Sequence, residues 1–297
     1  MNTGILTRQE KTVITVAHIV MILLTIFALA PFWLLVSSSL QSESSIIQEG
    51  YSFLPRDIST SAYTYIAQEW AQIGRAYGVT ILVTVAGTAL SLILDSLTSY
   101  ALSIKGLPGG KLIFIMIIFT MLFNGGAVAT YITYSSIFNI KNTVFALIIP
   151  NLLLNGFNVM LVRNYVVNSI PGELQEAAMI DGASLIRIYW QIILPLSVPI
   201  LATVGLLTAL GYWNDWINGL YFIDDPNLNS IQLLLNNINN SASFLASHSE
   251  LKIPADQIPS VTVRMAISVI AILPVVIAYP FFQKYFVGGI TLGAVKG

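Results

Sequence analysis

Long apolar runs alternate with polar stretches along the whole chain. Six runs are long enough to predict membrane-spanning helices, because about 20 apolar residues rising 1.5 Å each cross about 30 Å of hydrocarbon. They cover residues 13–36, 79–102, 112–128, 143–162, 196–220 and 261–286. The pattern predicts an all-α integral membrane fold. Its parts are a polar lead at 1–12, a six-span domain at 13–287 and a glycine-rich tail at 288–297.

The first run is predicted to be a retained span. Its 24 residues exceed the roughly 7–15 apolar residues of a signal peptide. It also contains Pro31-Phe32-Trp33 near its end, an aromatic pattern typical of a membrane interface. The second run is rich in Gly, Ser and Thr, small residues that allow close helix packing within a membrane.

Polar breaks divide some runs and separate others. The third run is loosened by Asn124-Gly125-Gly126, and Pro150-Asn151 with Asn155-Gly156 should kink the fourth. Residues 129–142 are expected to form a surface or partly re-entrant element. The polar stretches at 37–74 and 221–260 are expected to be external.

Composition supports an inserted chain and excludes several functions. Hydrophobic residues make up 56% and charged residues 9%, with a mean hydropathy of +0.78, whereas soluble domains carry roughly 25% charged residues. A net charge of −1 does not indicate nucleic-acid binding. The absence of cysteine excludes disulfides, thiol catalysis, iron–sulfur clusters and thiolate metal sites. The Gly110-Lys111 pair lacks the glycine at 105 and the Ser or Thr at 112 that a phosphate loop requires.

The basic residues predict the orientation, because Lys and Arg accumulate on the cytoplasmic side. Eight would lie on one side: Arg8, Lys11, Lys105, Lys111, Arg163, Arg187, Lys284 and Lys296. Five would lie in the longer segments opposite: Arg56, Arg75, Lys141, Lys252 and Arg264. Both termini and the polar stretch at 168–195 are therefore predicted to face the cytoplasm.

The 168–195 stretch predicts two short helices joined at a glycine, outside the bilayer. Pro171 suits the first turn of a helix, where its missing N–H costs nothing. Gly182 can end this helix with a positive φ. Ser184 is predicted to begin the second helix and Pro195 to end it.

This stretch carries a resemblance to a known family. It contains a pattern similar to the EAA motif of ABC importer permeases. The pattern consists of Glu176-Ala177-Ala178, three residues, Gly182, nine residues, Ile192, one residue and Leu194-Pro195. The flanking Arg163-Asn164-Tyr165 and Ile180-Asp181-Gly182-Ala183-Ser184 resemble the carbohydrate-importer branch, above all the maltose-type second permease subunit and complex-oligosaccharide permeases. The resemblance implies the type I ABC importer permease fold in a bacterial inner membrane.

In that family the matching residues form a coupling helix seated on a cytoplasmic ATPase subunit. The resemblance assigns ATPase coupling to Glu173, Glu176, Ala177, Ala178, Asp181 and Gly182. It also implies a second homologous permease, two ATPase subunits and an external solute-binding protein as partners. ATP and Mg would bind to the ATPases, so this chain would hold no cofactor and catalyse no reaction. The tail at 288–297 resembles the maltose-type tail that reaches between the ATPase subunits, the alternative being a flexible glycine-rich end.

Polar residues within the apolar runs are candidates for a substrate path. In Trp213-Asn214-Asp215-Trp216 the indoles could stack on sugar rings and the polar pair could bind hydroxyls, although an interfacial aromatic belt would look the same. Asp95 is a further candidate, with structural pairing to a neighbouring helix as the alternative. Asn155 is assigned to the same path, and Asn124, Asn151 and Asn158 are expected to bond across helices.

The sequence therefore predicts the permease subunit of an ATP-driven, binding-protein-dependent importer for carbohydrates, favouring oligosaccharides. The alternative is a self-contained transporter or channel driven by an ion gradient, with Asp95, Asp215 and His18 as coupling sites. No inverted repeat supports that alternative. An intramembrane enzyme is not favoured, because neither a nucleophile–base pair nor a metal motif is found.

Overall fold

The computed structural model describes residues 8–247 and 261–294, with side chains at 9–241, 261–281 and 283. In chain order its α-helices are α1 (Arg8–Ser39), α2 (Glu43–Glu49), α3 (Ser61–Gln68), α4 (Trp70–Ser103), α5 (Gly110–Leu122), α6 (Gly126–Ile132), α7 (Val144–Ile148), α8 (Gly156–Ser169), α9 (Gly172–Ile180), α10 (Leu185–Ile188), α11 (Leu194–Leu196), α12 (Val198–Trp213), α13 (Ile217–Phe222), α14 (Ile231–Ser247) and α15 (Val261–Ala294).

Other regular structure is sparse. π-Helical turns occupy Thr133–Ile137 and Tyr189–Ile193, and a 3₁₀ turn occupies Pro226–Leu228. Gln41 and Ile58 form an isolated antiparallel bridge, and the described ranges contain no β-strand. The prediction of an all-α chain is confirmed for these residues.

Three described helices are long and apolar enough to cross a membrane: Gln9–Ser39, Trp70–Ser103 and Val261–Phe281. A fourth crossing results if Leu185–Leu196 and Val198–Trp213, which meet at 78°, count as one span. α5 is apolar but shorter than these. The predicted number of six spans therefore stays a prediction.

The predicted fourth run is interrupted rather than kinked. α7 ends at Ile148, and α8 does not begin until Gly156. Pro150 has no N–H to continue the helix, and Asn151 has a φ of +62°. The side chain of Asn155 then accepts hydrogen bonds from the N–H groups of Phe157 (2.9 Å) and Asn158 (3.2 Å) and so begins α8.

The helix predicted to end at Pro195 continues to Leu196 instead. Between α10 and α11 the chain forms the π-helical turn at Tyr189–Ile193, which shifts the hydrogen-bonding pattern before the proline. The break comes at Ser197, whose N–H donates to the carbonyl oxygens of Ile193 (2.9 Å) and Leu194 (3.2 Å). The prediction was wrong because proline is accepted in the first turn of the new helical segment.

Several helices are longer than the predicted runs. α4 begins at Trp70, nine residues before the predicted start at 79. α15 continues to Ala294, past the predicted end at 286 and into the predicted tail. Residues 1–7 of the lead, 295–297 of the tail and 248–260 of the predicted external region, which contain His248, lie outside the described residues.

The chain divides into two compact units. One comprises Met1–Glu69 with Ile238–Ile272, and the other comprises Trp70–Asn237 with Leu273–Gly297.

In the first unit, the stretch at 37–74, which is predicted to be external, is bonded to the start of α15. The carboxylate of Glu43, in the first turn of α2, accepts hydrogen bonds from the N–H groups of Val261 (2.9 Å) and Thr262 (3.0 Å) and from the Thr262 hydroxyl (3.0 Å). Trp33 near the end of α1 donates to the carbonyl of Phe53 at 2.8 Å. Arg56 pairs with Glu49 on the exposed surface.

The second unit is built around α4, which packs mainly against α8 and α12. Close packing depends on Gly87 of α4. A Cβ there would lie 2.5 Å from the ring of Tyr212 on α12. Tyr212 is buried, and its hydroxyl donates to the carbonyl of Ile148 at 3.0 Å.

Candidate functional site

The predicted coupling segment forms as two short helices joined at a glycine. Gly182 has a φ of +78°, and its N–H donates to the carbonyl of Met179 at 3.0 Å. The N–H of Ala183 donates to the carbonyl of Ala178 at 2.9 Å, which closes the C-terminus of α9. Ser184 then caps α10 by accepting from the N–H of Arg187 at 3.3 Å. The predicted glycine end and serine start are confirmed.

The inner side of this segment packs on the core of the second unit. Ala178 and Ala183 contact a buried cluster formed by Tyr100, Val162, Val166, Ile170, Ile188, Tyr189, Ile193 and Val204. The hydroxyls of Tyr189 and Ser96 lie 2.7 Å apart. α4, α8 and α12 all contribute to this cluster, so the segment packs against all three helices.

The outer side of the segment is exposed and partly apolar. Ile180 is 86% exposed and Ile186 is 73% exposed, and Leu174, Met179 and Leu185 are also exposed. The remaining predicted coupling residues on this side are Glu173, Glu176, Ala177, Asp181 and Gly182. Within the described chain, none of the three acids forms a salt bridge. The two adjacent alanines differ in environment: Ala177 is exposed, whereas Ala178 packs against the buried cluster.

A second group of polar residues surrounds Asp95 in α4. Asp95 is 0% exposed, and its carboxylate accepts hydrogen bonds from the Ser91 hydroxyl, the Asn155 N–H and the Asn158 side-chain amide, each at 3.3 Å. The same Asn158 amide donates to the Thr208 hydroxyl at 3.1 Å. The group therefore joins α4 to α8 and α12.

A cavity of 270 Å³ lies beside this group. Asn155, Asn158 and Thr208 supply polar groups to its wall, and Leu152, Phe157, Leu207 and Gly211 complete the lining. Two residues predicted for a substrate path, Asp95 and Asn155, are thus brought together. Thr208 was missed, because a single hydroxyl in an apolar run is too common in membrane helices to indicate a site.

The Trp213–Trp216 stretch does not present one continuous polar surface. Trp213 is only 7% exposed and packs against Tyr77, with ring centroids 6.3 Å apart. Asp215 accepts from the N–H groups of Ile217 (3.1 Å) and Asn218 (3.2 Å) and thereby caps α13.

The other two members of that stretch are accessible. Asn214 is exposed, its side-chain amide donating to the carbonyl of Leu210 at 2.9 Å, and Trp216 is 38% exposed. Asp215 is partly exposed as well, so three of the four side chains have accessible surface.

The other predicted polar residues have local partners or line a second cavity. Nδ1 of His18 lies 2.6 Å from the carbonyl of Ile14 one turn earlier in α1. Asn124 and Asn151 line a cavity of 190 Å³ with Asn218 and Tyr221.

The predicted surface or re-entrant element at 129–142 contacts the start of the predicted external region at 221–260. Lys141 forms a salt bridge to Asp224 at 2.8 Å and donates to the hydroxyl of Tyr131 at 3.4 Å. Both hydrogen bonds, that to Asp224 being the larger cause, raise the pKa of Lys141. Asn142 accepts from the N–H groups of Asp224 (2.6 Å) and Asp225 (3.1 Å), which fixes the start of the second element.

Known proteins resemble this chain in sequence and in fold. Residues 111–291, more than half of the chain, match the family described as binding-protein-dependent transport system inner membrane components. The chain belongs to this family. Among relatives of this inner membrane component, Protein LplC of Bacillus subtilis (strain 168) is 34% identical over 270 residues, which cover 90% of this chain and 89% of LplC.

Two further similarities bear on the permease. The polygalacturonan/rhamnogalacturonan transport system permease protein YtcP of Bacillus subtilis (strain 168) is 34% identical over 277 residues, covering 93% of this chain and 96% of YtcP. A chain in the crystal structure of a bacterial ABC transporter involved in the import of the acidic polysaccharide alginate is 31% identical. Its TM-score with this permease is 0.79, and the match covers 96% of this permease and 100% of that chain.

The predicted family and function are therefore confirmed. The permease is an inner membrane component of a binding-protein-dependent ABC importer and has the all-helical type I importer permease fold. These similarities support an importer over an ion-coupled transporter.

Proposed function

We propose that this permease imports oligosaccharides, forms half of the translocation pathway and transmits ATP-driven movement through the segment at 168–195. The observation that carries the proposal is the two-sided surface of α9 and α10. Their outer side is exposed, and their inner side packs on a cluster shared by α4, α8 and α12. A partner that binds the outer side would therefore move membrane helices directly.

The roles of the individual coupling residues follow from their positions. Glu176 and Asp181 would pair with basic groups of the ATPase, and Ala177 would allow close approach of its surface. Exposed Ile180 and Ile186 add apolar area that becomes buried on docking. Gly182 sets the angle between the two helices through its positive φ.

The partners and the membrane arrangement belong to the same proposal. The permease would pair with a second homologous permease, two cytoplasmic ATPases and an external solute-binding protein. ATP and Mg would bind to the ATPases, and this chain would perform no bond chemistry. The six spans would contain the predicted apolar runs, with both termini cytoplasmic, and α5–α6 and α7–α8 would form two interrupted spans.

An oligosaccharide substrate is supported by the relatives. Their names include the polygalacturonan/rhamnogalacturonan permease and the arabinooligosaccharides transport system permease protein AraQ of Bacillus subtilis (strain 168). Within the chain, the cavity beside Asp95 and Asn155 has the amide and hydroxyl groups that bind sugar hydroxyls. Exposed Trp216 and Asn214 would contact the substrate nearer the external side.

Alternating access links these parts. The loaded binding protein docks outside, ATP closes the ATPase dimer, and α9 moves with it. The pathway then opens outward, and hydrolysis returns it to the inward state. Such a switch requires that the partners bind the two states with different affinity.

The test is ATPase activity and uptake of the complete importer in lipid vesicles, stimulated by its binding protein and an oligosaccharide. Gly182→Leu forces a branched side chain into the left-handed region, at a cost of about 1–2 kcal/mol, whereas Gly182→Asn tolerates it. We expect Gly182→Leu and Glu176→Ala to reduce stimulated ATPase activity and uptake together, and Gly182→Asn to retain both. Uptake that persists without ATP and stops when the ion gradient is dissipated would refute the proposal.

A further inference from the structure

A basic cavity outside the coupling segment has no role in the mechanism above. It measures 480 Å³ and lies where the turn between α4 and α5 meets α8. Lys105, Lys111 and Arg163 contribute to its wall, and the described lining contains no acidic side chain. Its volume falls within the roughly 300–1,000 Å³ of small-ligand sites.

The three cations have no acidic partner among the side chains that the structure describes. Considering residues 9–241, 261–281 and 283, none of them forms a salt bridge. Arg163 is held in place, because its Nε donates to the carbonyl of Leu102 at 2.9 Å and its guanidinium carbon lies 4.9 Å from the ring centroid of Phe114. Three basic side chains that line one cavity, with no acidic side chain in its described lining, favour an anionic ligand.

The N-terminus of α5 adds to the same field. This 13-residue helix begins after Gly109, which has no side chain to cap it. Its first N–H groups carry the positive end of the helix dipole, and Gly110 and Lys111 of that turn line the cavity. A phosphate there would interact with this helix end as well as with the basic side chains.

The surface next to the cavity is apolar. Beyond Lys111, the exposed residues of α5 are Leu112, Ile113, Ile115, Met116 and Phe119. A free phosphate would not use this surface, but the acyl chains of a lipid would lie against it. Basic pockets between membrane helices on the cytoplasmic side bind anionic lipid head groups.

We propose that Lys105, Lys111 and Arg163 bind the phosphate of an anionic phospholipid whose acyl chains lie along α5. The two lysines attract the head group, and Arg163, fixed against Phe114, orients it. The site requires that α4, α5 and α8 are embedded in the membrane. It does not depend on the coupling mechanism, so the two proposals fail separately.

The experiment is native mass spectrometry of the complete importer, delipidated in detergent and titrated with phosphatidylglycerol or phosphatidylcholine. We expect selective retention of phosphatidylglycerol. Lys105→Gln with Lys111→Gln should weaken it by about fivefold for each lysine, which is the usual effect of a basic residue at an anionic membrane surface. Lys105→Arg with Lys111→Arg should retain the lipid, because the charge is kept.

Two controls make the test specific. Lys11→Gln removes an exposed charge from α1 and should leave lipid retention unchanged, in contrast to Lys111→Gln. Inorganic phosphate and glycerol 3-phosphate should not displace the lipid at equal concentration, since neither can use the apolar surface of α5.

Four results would overturn the proposal. The first is that the Gln double variant retains as much phosphatidylglycerol as the unsubstituted importer, and the second is that the Arg double variant loses as much as the Gln double variant. The third is displacement of the lipid by a soluble phosphate, and the fourth is binding of phosphatidylcholine as tightly as phosphatidylglycerol. If the Gln double variant retains phosphatidylglycerol but loses its ATPase subunits, the cavity is a protein contact.

Discussion

Gly87 and Tyr212 set the distance between two central helices. The ring of Tyr212 occupies the space that a Cβ at Gly87 would need, and its hydroxyl donates a hydrogen bond to the carbonyl of Ile148. Because the tyrosine is buried and bonded, it cannot move aside easily.

Gly87→Ala should therefore destabilise the permease by about 1–3 kcal/mol, the usual effect of overpacking a core. The matched control is Gly78→Ala in the same helix, where an added Cβ meets nothing within 4 Å. The control should be neutral or slightly stabilising, since alanine favours helix. Thermal unfolding of both variants in the same detergent measures the difference, and equal melting temperatures would exclude a tight contact.

The sequence could indicate this kind of contact but not its members. Small residues in the run at 79–102 predicted close helix packing, and α4 does pack closely. The pattern does not identify Gly87 as the tight contact, because that depends on Tyr212 of another helix, which faces it. Likewise, Asp95 stood out as an acid in a span and Asn158 was expected to bond across helices, but the bond between these two residues became identifiable only from the packing of α4 on α8.

At the scale of elements, α15 begins on a distant carboxylate. Glu43 accepts the first N–H groups of α15 and the Thr262 hydroxyl, contacts that span more than 200 positions of sequence. A negative charge at this end also favours the helix dipole.

Glu43→Ala should loosen the first turn of α15 by about 1–2 kcal/mol, as for the loss of a helix cap. Hydrogen exchange of the amides of Val261 and Thr262 should become faster. Glu49→Ala removes an acid from the same short helix, but that acid pairs with Arg56 on the exposed surface, so its loss should leave α15 unchanged. Faster exchange at α15 in both variants would mean that the carboxylate of Glu43 is not the cap.

The helix ends were predictable where one residue decides them. Gly182 and Ser184 have local roles, and both were identified from the sequence. The continuation of the helix past Pro195 was not predicted, because it depends on the π-helical turn before the proline. The interruption at Pro150-Asn151 was predicted only as a kink, since the extent of unwinding depends on the helices around it.

At the scale of the whole molecule, much apolar surface faces outward. The most apolar window of α1 has none of its residues buried within the chain. Lipid or partner subunits must cover it, because an exposed apolar area of this size is not stable in water. The sequence predicts that such a helix enters the membrane, but a single chain does not specify its neighbours.

The proposed topology can be tested directly, because the chain has no cysteine. In intact cells, a membrane-impermeant maleimide should label Leu54→Cys and Asn227→Cys in the external stretches. It should label Pro108→Cys, in the turn after α4, only after permeabilisation. The unsubstituted chain and lipid-facing Val85→Cys should remain unlabelled. Labelling of all three loop positions from one side would contradict the six-span arrangement.

The 78° bend at Ser197 makes Leu185–Leu196 a lever with its pivot at the start of α12. At 1.5 Å per residue the arm is about 18 Å long, so a rotation of about 10° moves its far end by about 3 Å. Tyr189, which contacts Ser96 part-way along the arm, moves by a smaller distance. If α9 moves as proposed, the bend would convert a larger movement at the far end of the arm into a smaller displacement at α4.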